Sequence, residues 1–591
     1  MRRTTRLLVA VSAAGALVLS ACGGDDGGDE ATPPAPSDTQ EGGATGDFTD
    51  PDREGPAEIE GAEAGGTVKV ISFTPLETMD PSEIYYVHTY AIGSGLIFRS
   101  LTQYSIDPET GNAVLVPDLA TDLGTHNEDY TEWTFTIRDG VRYENGDPVT
   151  AADIKFGMER SMDLATFPES AAFYSTQYYE GGADYKGPYT DPGSQLDSIT
   201  ADGQTLTIKM ATPFPDMPYW GSFPENGPVP PGPASDPDKY RNHPLATGPY
   251  MFDEYVPKQK LTLVRNPEWD PATDPARTAY PDRWEMDFTV PNEQIDEIIL
   301  NDQGDAKNTM TFDDILGPNY RKFTEQAGDR VVLGTTPCTR YWAPDYRKIT
   351  DINIRRAIGY AYPTRAAIKA GGFIEGVNRY PAANLMPPGT PGRTEYQPLE
   401  GVTPGETDPA KSRELLAEAG EEGYEIKFLF ATDDPAAVAA KDAIVKGLEE
   451  GGFTATPVPT TLENLTTVRE DPNADINVRS AGWCADWPSG ASWFPVLLKT
   501  EDLKKLGQIS QNYAVFSEED VDTRMADILA MPAEDQPAAW NELDKYINDT
   551  YYPQITTTYD GVATSHGSNV NGQYNDPIVG MPTFNQIWLT Q

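Results

Sequence analysis

Gly66 separates a stretch that cannot fold by itself from a body too long to fold around one core. From Gly23 to about Gly66 the chain runs GGDDGGDEATPPAPSDTQEGG and onward in Gly, Pro, Asp and Glu, with almost no apolar side chains. Such a segment buries too little apolar area to offset its ordering entropy, so 22–65 is read as a disordered spacer extended by its own acidic repulsion. The body beyond it carries regularly spaced apolar and aromatic residues over 66–591. That length exceeds what a single hydrophobic core organises and implies two or three lobes.

The N-terminus reads as an address. Arg2, Arg3 and Arg6 form a basic segment, followed by a 13-residue apolar run from Leu7 to Leu19. The run is too short for a stable membrane span and suits the apolar region of a signal peptide, 1–21. It ends in Leu19-Ser20-Ala21-Cys22, which resembles the bacterial lipobox. That resemblance implies diacylation of the Cys22 thiol and cleavage before it; the alternative is an ordinary signal peptide with an incidental cysteine. Two acyl chains give stable anchoring. No other segment is long and apolar enough to span a membrane. The expected location is the outer face of the cytoplasmic membrane, lipid-anchored and extracytoplasmic.

Charge and chemistry remove several function classes. The chain has 44 basic against 92 acidic side chains, a formal net charge of -48. Such a field opposes nucleic-acid binding, which needs Lys and Arg on phosphates. The three cysteines include no CxxC pair and the four histidines are scattered, so neither a metal nor a cofactor is expected. There is no GxSxG elbow, no HExxH and no Walker A motif, and Ser565-His566 stands isolated. The chain is therefore expected not to be an enzyme, a secreted lipoprotein hydrolase being the distant alternative. With Cys22 acylated, an oxidising compartment favours a Cys338–Cys484 disulfide over two buried free thiols. It would close a loop of about 145 residues and contribute about 4–5 kcal/mol in the chain-entropy model.

Periodicity outlines the body. Thr67-Val68-Lys69-Val70-Ile71 and Trp133–Ile137 alternate as strands, and Thr150 with Asp153 makes a capping-box-like helix start. Gly248–Phe252 and Leu261–Val264 read as a strand–turn–strand ahead of an Arg265-Asn266-Pro267 turn. Ile354 to Ile368 is helical by spacing, and Asp408 to Ala419 is a helix stopping at Gly420. A strand at Tyr424–Phe430, a helix at Ala436–Gly451 and a strand from Phe453 complete an alternating α/β pattern.

Six segments, in order, resemble family 5 of the bacterial extracellular solute-binding proteins. They are Met79-Asp80-Pro81 with Leu96–Leu101; WTFTIRDGVRYENGDPVTAADIKFGMER from Trp133 to Arg160; Ala246–Tyr250 with Arg265-Asn266-Pro267; Asp351–Ile358; DPAKSRELLAEAG; and Ala481-Gly482-Trp483-Cys484-Ala485-Asp486-Trp487-Pro488. The resemblance implies an α/β fold of the two-lobed periplasmic-binding-protein kind (type II, large peptide-binding class) with an additional inserted domain. Lobe I would comprise 66–110, 245–337 and 551–591, the inserted domain 111–244, and lobe III 338–550.

It also implies a function: a substrate-binding protein of an ABC importer that captures a di- or oligopeptide between its lobes and delivers it to permease subunits, as a monomer. The alternative is the same fold binding a non-peptide solute such as a metal chelate, an oligosaccharide or an antibiotic. By its place in the motif, Asp486 matches the residue that binds a peptide's α-ammonium; its alternative role is to cap the turn before Pro488. Gly482 would admit the ligand backbone, Trp483 would wall a side-chain pocket unless it is a core residue, and Tyr341 matches a cleft-lining tyrosine. For a ligand carboxylate the candidates are Arg469 and Arg479. Arg479 stands one residue from the family position, which Ser480 occupies, and such an offset turns a strand side chain to the other face.

Overall fold

The computed structural model describes residues 48–56, 59–107, 113–501 and 503–591. The expected signal peptide, Cys22 and the first part of the spacer lie outside the described residues. Two large sheets dominate. One has five strands in the order Thr309–Met310, Thr67–Ile71, Arg283–Asp287, Lys260–Arg265 and Tyr250–Val256. The other has six, in the order Arg379–Pro381, Ile555–Ser565, Val331–Pro344, Val478–Cys484, Glu425–Ala431 and Thr454–Thr460. A four-stranded antiparallel sheet (Thr125–His126, Glu132–Thr136, Thr205–Lys209, Ile199–Asp202) falls in sequence between the Thr67–Ile71 and Tyr250–Val256 strands of the five-stranded sheet.

The two sheets are linked by the long antiparallel pair Val331–Pro344 and Ile555–Ser565. Its lower end is tied to the five-stranded side, where the Ala563 amide donates to Asp314 (2.9 Å) and the Ile315 amide donates to the Ala563 carbonyl (2.8 Å). Its upper end lies in the middle of the six-stranded sheet. Between the two ends the register slips from Thr335–Gly561 to Thr339–Tyr559. Pro337 falls inside that irregularity, where a residue without an N–H interrupts the ladder least.

Local chemistry accounts for the helices near the cleft. Thr150 and Asp153 exchange side-chain and backbone hydrogen bonds at the start of the Ala151–Ser161 helix, a complete capping box. Asp408 caps Pro409–Ala419, which ends on Gly420 at φ 72°. The expected single helix from Ile354 to Ile368 is two helices, Ile352–Ala361 and Thr364–Ala370. Pro363 causes the break, since it supplies no amide and disfavours helical backbone at Tyr362.

The expected spacer also ends earlier than residue 65. Phe48 packs against the cluster of Tyr104, Ile106 and Leu115, and the backbone of 48–50 pairs with Leu115. One aromatic side chain in an otherwise polar stretch is enough to dock it.

Two of the motif segments meet in the interior. Arg160, at the end of the Trp133–Arg160 run, makes a bidentate ion pair with Asp80 (2.5 and 2.7 Å), both side chains being fully buried. The same guanidinium donates to Ser82 Oγ at 2.6 Å. Breaking such a pair leaves a buried charge uncompensated, so these residues hold the segment after Asp80 in place.

Candidate functional site

The Val478–Cys484 strand aligns with Val331–Pro344 so that Cys338 faces Cys484, Arg340 faces Gly482 and Trp342 faces Ser480. Cys338 and Cys484 are joined by a disulfide. One residue on, the Ala485 amide donates to the Pro337 carbonyl at 2.9 Å. Asp486 follows immediately, so covalent and backbone bonds fix where its carboxylate leaves the sheet.

That carboxylate meets side chains from the other side of the molecule. Tyr174 and Tyr85 both donate their hydroxyls to Asp486 Oδ2, the Tyr85 contact being 3.4 Å. Tyr85 follows the segment locked by Asp80 and Arg160. Tyr174 stands on the helix Phe173–Tyr178, whose entry is held by the Ala171 amide donating to Glu225 Oε1 at 3.2 Å. Burial pushes the Asp486 carboxyl up to about 6 even though both tyrosines favour its charged form. Glu225, 2% exposed, is pushed up to about 8 by burial, with a further contribution from the nearby negative charge of Asp486, and its Oε2 has no hydrogen-bond partner. Two carboxyls, one of them with an oxygen that lacks a donor, thus share a low-dielectric junction between the lobes. Such a junction has charge and hydrogen-bonding capacity to spare for a cation.

Trp487 crosses the junction entirely. It is 0% exposed and belongs to the apolar core of the five-stranded side, 4.7 Å from the Tyr174 ring and 6.0 Å from Phe214. Its Nε1 donates to Asp216 at 2.7 Å. The carbonyl end of the six-stranded sheet is therefore pinned into the opposing lobe.

On the six-stranded side a cavity of about 440 Å³ opens beside the same strand, at the C-terminal end of its parallel neighbour Glu425–Ala431. Its walls include Arg340, Arg379, Lys441, Arg469, Ser480 and Gly482. Crevices beyond the carboxyl ends of parallel strands are where α/β sheets bind ligands.

The structure sorts the expected site residues. Asp486 lies at the interlobe junction. Gly482 lines the cavity, and a Cβ there would come within 2.7 Å of the Arg340 side chain. Trp483 is half-buried, donates Nε1 to the Ser492 carbonyl (2.7 Å) and packs on the apolar cluster behind the sheet. Tyr341 belongs to that cluster, is 1% exposed and borders the cavity from its wall, with its hydroxyl unpartnered. Arg469 lines the cavity from the helix Leu462–Glu470.

Arg479 faces away. It is 0% exposed, paired with Asp345 (2.9 Å), and donates Nε to the Arg469 carbonyl (2.9 Å). Ser480 takes the cavity-facing position, as strand alternation requires. Tyr85, Tyr174, Glu225 and Trp487 were not singled out from sequence as site residues. Trp487 sits within the quoted motif, but nothing local marks Tyr85, Tyr174 or Glu225, which reach the site only through tertiary folding.

The buried carboxyls have a measurable consequence. Asp486 (about 6), Glu225 (about 8), Asp544 (about 7), Asp576 (about 6) and Asp314 (about 6) are all raised by burial above ordinary values of 3.8 or 4.5. Between about pH 4.5 and 8 the folded chain then holds more protons than the unfolded chain, so stability rises as pH falls through this window. Relief of self-repulsion in an acidic chain acts in the same direction. Calorimetric scans should show the unfolding midpoint several degrees higher at pH 5 than at pH 8; a midpoint that falls over that interval contradicts these assignments.

No helix among the described residues is long and apolar enough to cross a membrane, and no group of three or more His, Cys, Asp or Glu among them could hold a metal ion. Residues 114–504 match the profile of "Bacterial extracellular solute-binding proteins, family 5 Middle". The chain is 24% identical over 433 residues to the periplasmic oligopeptide-binding protein OppA of Escherichia coli (strain K12), covering 70% of this chain and 74% of that protein. Among solved structures it is similar to clavulanic acid biosynthesis oligopeptide binding protein 2, with a TM-score of 0.82, 22% identity, and 92% and 99% of the two chains covered. It is also similar to Haemophilus influenzae OppA in complex with RPPGFSPFR, with a TM-score of 0.66, 18% identity, and 90% and 100% covered. With the family profile matched over most of the body, around the disulfide-fixed strand and the cleft beside it, the chain belongs to the bacterial extracellular solute-binding proteins, family 5.

Proposed function

We propose that this protein is the lipid-anchored receptor of an ABC importer, binding a di- or oligopeptide between its lobes and presenting it to permease subunits. The observation that carries the peptide reading is Asp486: a carboxylate set rigidly at the end of a cleft strand, walled by Tyr85 and Tyr174 from across the junction. An ammonium removed from water needs such a partner, because an unpaired buried charge costs several kcal/mol. Beyond Val478 the strand Val478–Cys484 has no register partner on its Glu425–Ala431 side, and that side would supply strand-like pairing for a peptide main chain. Asp486 holds the N-terminus, Gly482 lets the main chain approach, Tyr341 shapes the wall with Trp483 packed behind the strand, and Arg469 serves the opposite end.

In this reading lobe I is 66–110, 245–337 and 551–591, the inserted domain is 111–244, and lobe III is 338–550. The strands Val331–Pro344 and Ile555–Ser565 act as the hinge between them. Ligand contacts on both sides favour the closed arrangement, and closure is the signal that a permease reads. Cys22 carries the diacylglyceryl anchor, and the acidic spacer holds the body off the membrane.

Mass spectrometry of the protein purified from its native membrane tests both parts. The expected spectrum contains a mature chain starting at diacylated Cys22, and native conditions release peptides from it. A chain cut elsewhere and unlipidated removes the anchor; a released solute without amide bonds removes the peptide reading.

A further inference from the structure

A second cavity, of about 30 Å³, lies against the core of the five-stranded side and shares no lining residue with the one beside Ser480. Its volume suits one or two particles the size of a water molecule. Four residues of its wall carry polar groups and are nine-tenths or more buried: Ser94, Tyr104, Asp576 and Asn585. Ser94 Oγ, the Tyr104 hydroxyl and Asn585 Oδ1 have no hydrogen-bond partner. The other polar side chains of the wall, Tyr90, Gln103 and Thr583, are already bonded.

Other bonds hold these oxygens in position. Ser94 belongs to a π-helical turn, Gly93–Ile97, a geometry that is rare and concentrated at functional sites. A helical serine commonly donates to the carbonyl one turn back, and this one does not. Arg277 anchors the turn from outside the cavity, its Nε donating to the Ser94 carbonyl at 2.6 Å. The turn packs directly on the C-terminal segment: a Cβ on Gly95 would lie 3.3 Å from Phe584 Cβ and 3.6 Å from the Asn585 amide. Asn585 Nδ2 donates to the Ala276 carbonyl at 3.0 Å, which fixes the side-chain amide and leaves Oδ1 free. Asp576 Oδ1 accepts from the amides of Ile578 (2.8 Å) and Val579 (3.1 Å), so Oδ2 is its unused oxygen.

Charge at this spot is as unbalanced as hydrogen bonding. Among the described residues no basic side chain pairs with Asp576. Arg277 and Arg99 are committed to Asp118 and Asp274, two guanidinium groups against two carboxylates. A water molecule could bridge the hydroxyls and the amide oxygen, but it would leave the buried carboxylate uncompensated. We propose that this cavity binds one monovalent cation, sodium or potassium, through Asp576, Asn585 Oδ1 and Ser94 Oγ, with the Tyr104 hydroxyl beside them. Oxygen donors alone select a hard cation, and a single carboxylate among neutral oxygens matches a single positive charge better than calcium, which takes six to eight oxygens. The ion bridges the π-helical turn to the C-terminal segment. The helix Val87–Ile92 runs from Tyr85 straight into that turn, so the site also braces the element that carries Tyr85 to Asp486.

The test is scanning calorimetry of the full chain at pH 8 in sodium, potassium or choline chloride at equal ionic strength. Choline is too large for the cavity, yet it screens the net charge of -48 as the other salts do. The unfolding midpoint should be higher by about 1–3 °C in at least one of the two metal salts than in choline chloride. Ser94→Ala removes a hydroxyl that has no protein partner, so it should keep the choline midpoint and weaken the response to the metal ion. Asp576→Asn should abolish that response. Equal midpoints for the native protein in all three salts overturn the inference, an outcome that leaves water as the occupant. A response that either variant leaves unchanged places the ion elsewhere on the acidic surface and also overturns it. Should Asp576→Asn fail to fold, Ser94→Ala decides alone.

Discussion

Alanine in place of Asp486 is expected to lower affinity for peptides with a free N-terminus by a hundredfold or more. In the proposed reading the carboxylate is the negative partner of an ammonium that closure removes from water, and truncating one member of such a pair costs about 3–5 kcal/mol. Asp486→Asn keeps an acceptor for Tyr85 and Tyr174 but no charge, and should fall between the two. Neither variant should lower thermal stability in the absence of ligand. The native carboxyl is raised to about 6 by burial, so its ionised form is a cost to the folded state near neutral pH. Titration calorimetry gives the affinity and scanning calorimetry the midpoint. Affinity within threefold of native would take Asp486 out of the site.

Trp487→Ala should have an effect of similar size by a different route. The indole is wholly enclosed in the core of the opposite lobe, against Tyr174 and Phe214, and bonded to Asp216. Deleting a buried Trp costs about 3–5 kcal/mol. Here the loss falls on contacts between lobes, because the residue is attached to the six-stranded side and packed into the other. An open arrangement that withdraws the indole has already given those contacts up.

The variant should therefore shift the equilibrium toward the open form. Small-angle scattering at saturating ligand should return a larger radius of gyration than for the native protein, with affinity reduced about a hundredfold and the ligand-free midpoint changed little. A large drop in the ligand-free midpoint with unchanged closure would instead make Trp487 a residue of one rigid core.

Much of this arrangement is legible in the sequence wherever local chemistry dictates structure. The Thr150–Asp153 capping box, the Asp408 cap with Gly420 as stop, and the alternation that starts at Thr67 all depend on neighbours a few residues away. The consequence of the Arg479 offset was equally readable: period-two geometry sends it to the buried face, where it pairs with Asp345. What escaped was either a competing local rule or a long-range meeting. Pro363 overrode an apolar spacing that ran through it, and Phe48 ordered a stretch whose composition argued for disorder. Tyr174 lies 312 residues from Asp486 in sequence and Tyr85 lies 401. No periodicity brings such residues together; only the packing of two lobes around one strand end does.

The same distinction separates Asp486 from the cationic cavity. Asp486 is marked by a compact motif and can be found by reading along the chain. The cationic cavity is assembled from Arg340 and Arg379 on separate strands and Lys441 and Arg469 on separate helices, inside a chain whose overall charge is strongly negative. Net charge therefore describes the surface and hides the polarity of this cavity.

A pair of calorimetric titrations reaches the central claim most directly, one with a tetrapeptide and one with the same peptide acetylated at its N-terminus. Acetylation removes the positive charge and little else. The free peptide should bind at least a hundredfold more tightly than the acetylated one. Equal affinities would mean that no ammonium is held at Asp486, and the cleft would have to recognise its solute in some other way.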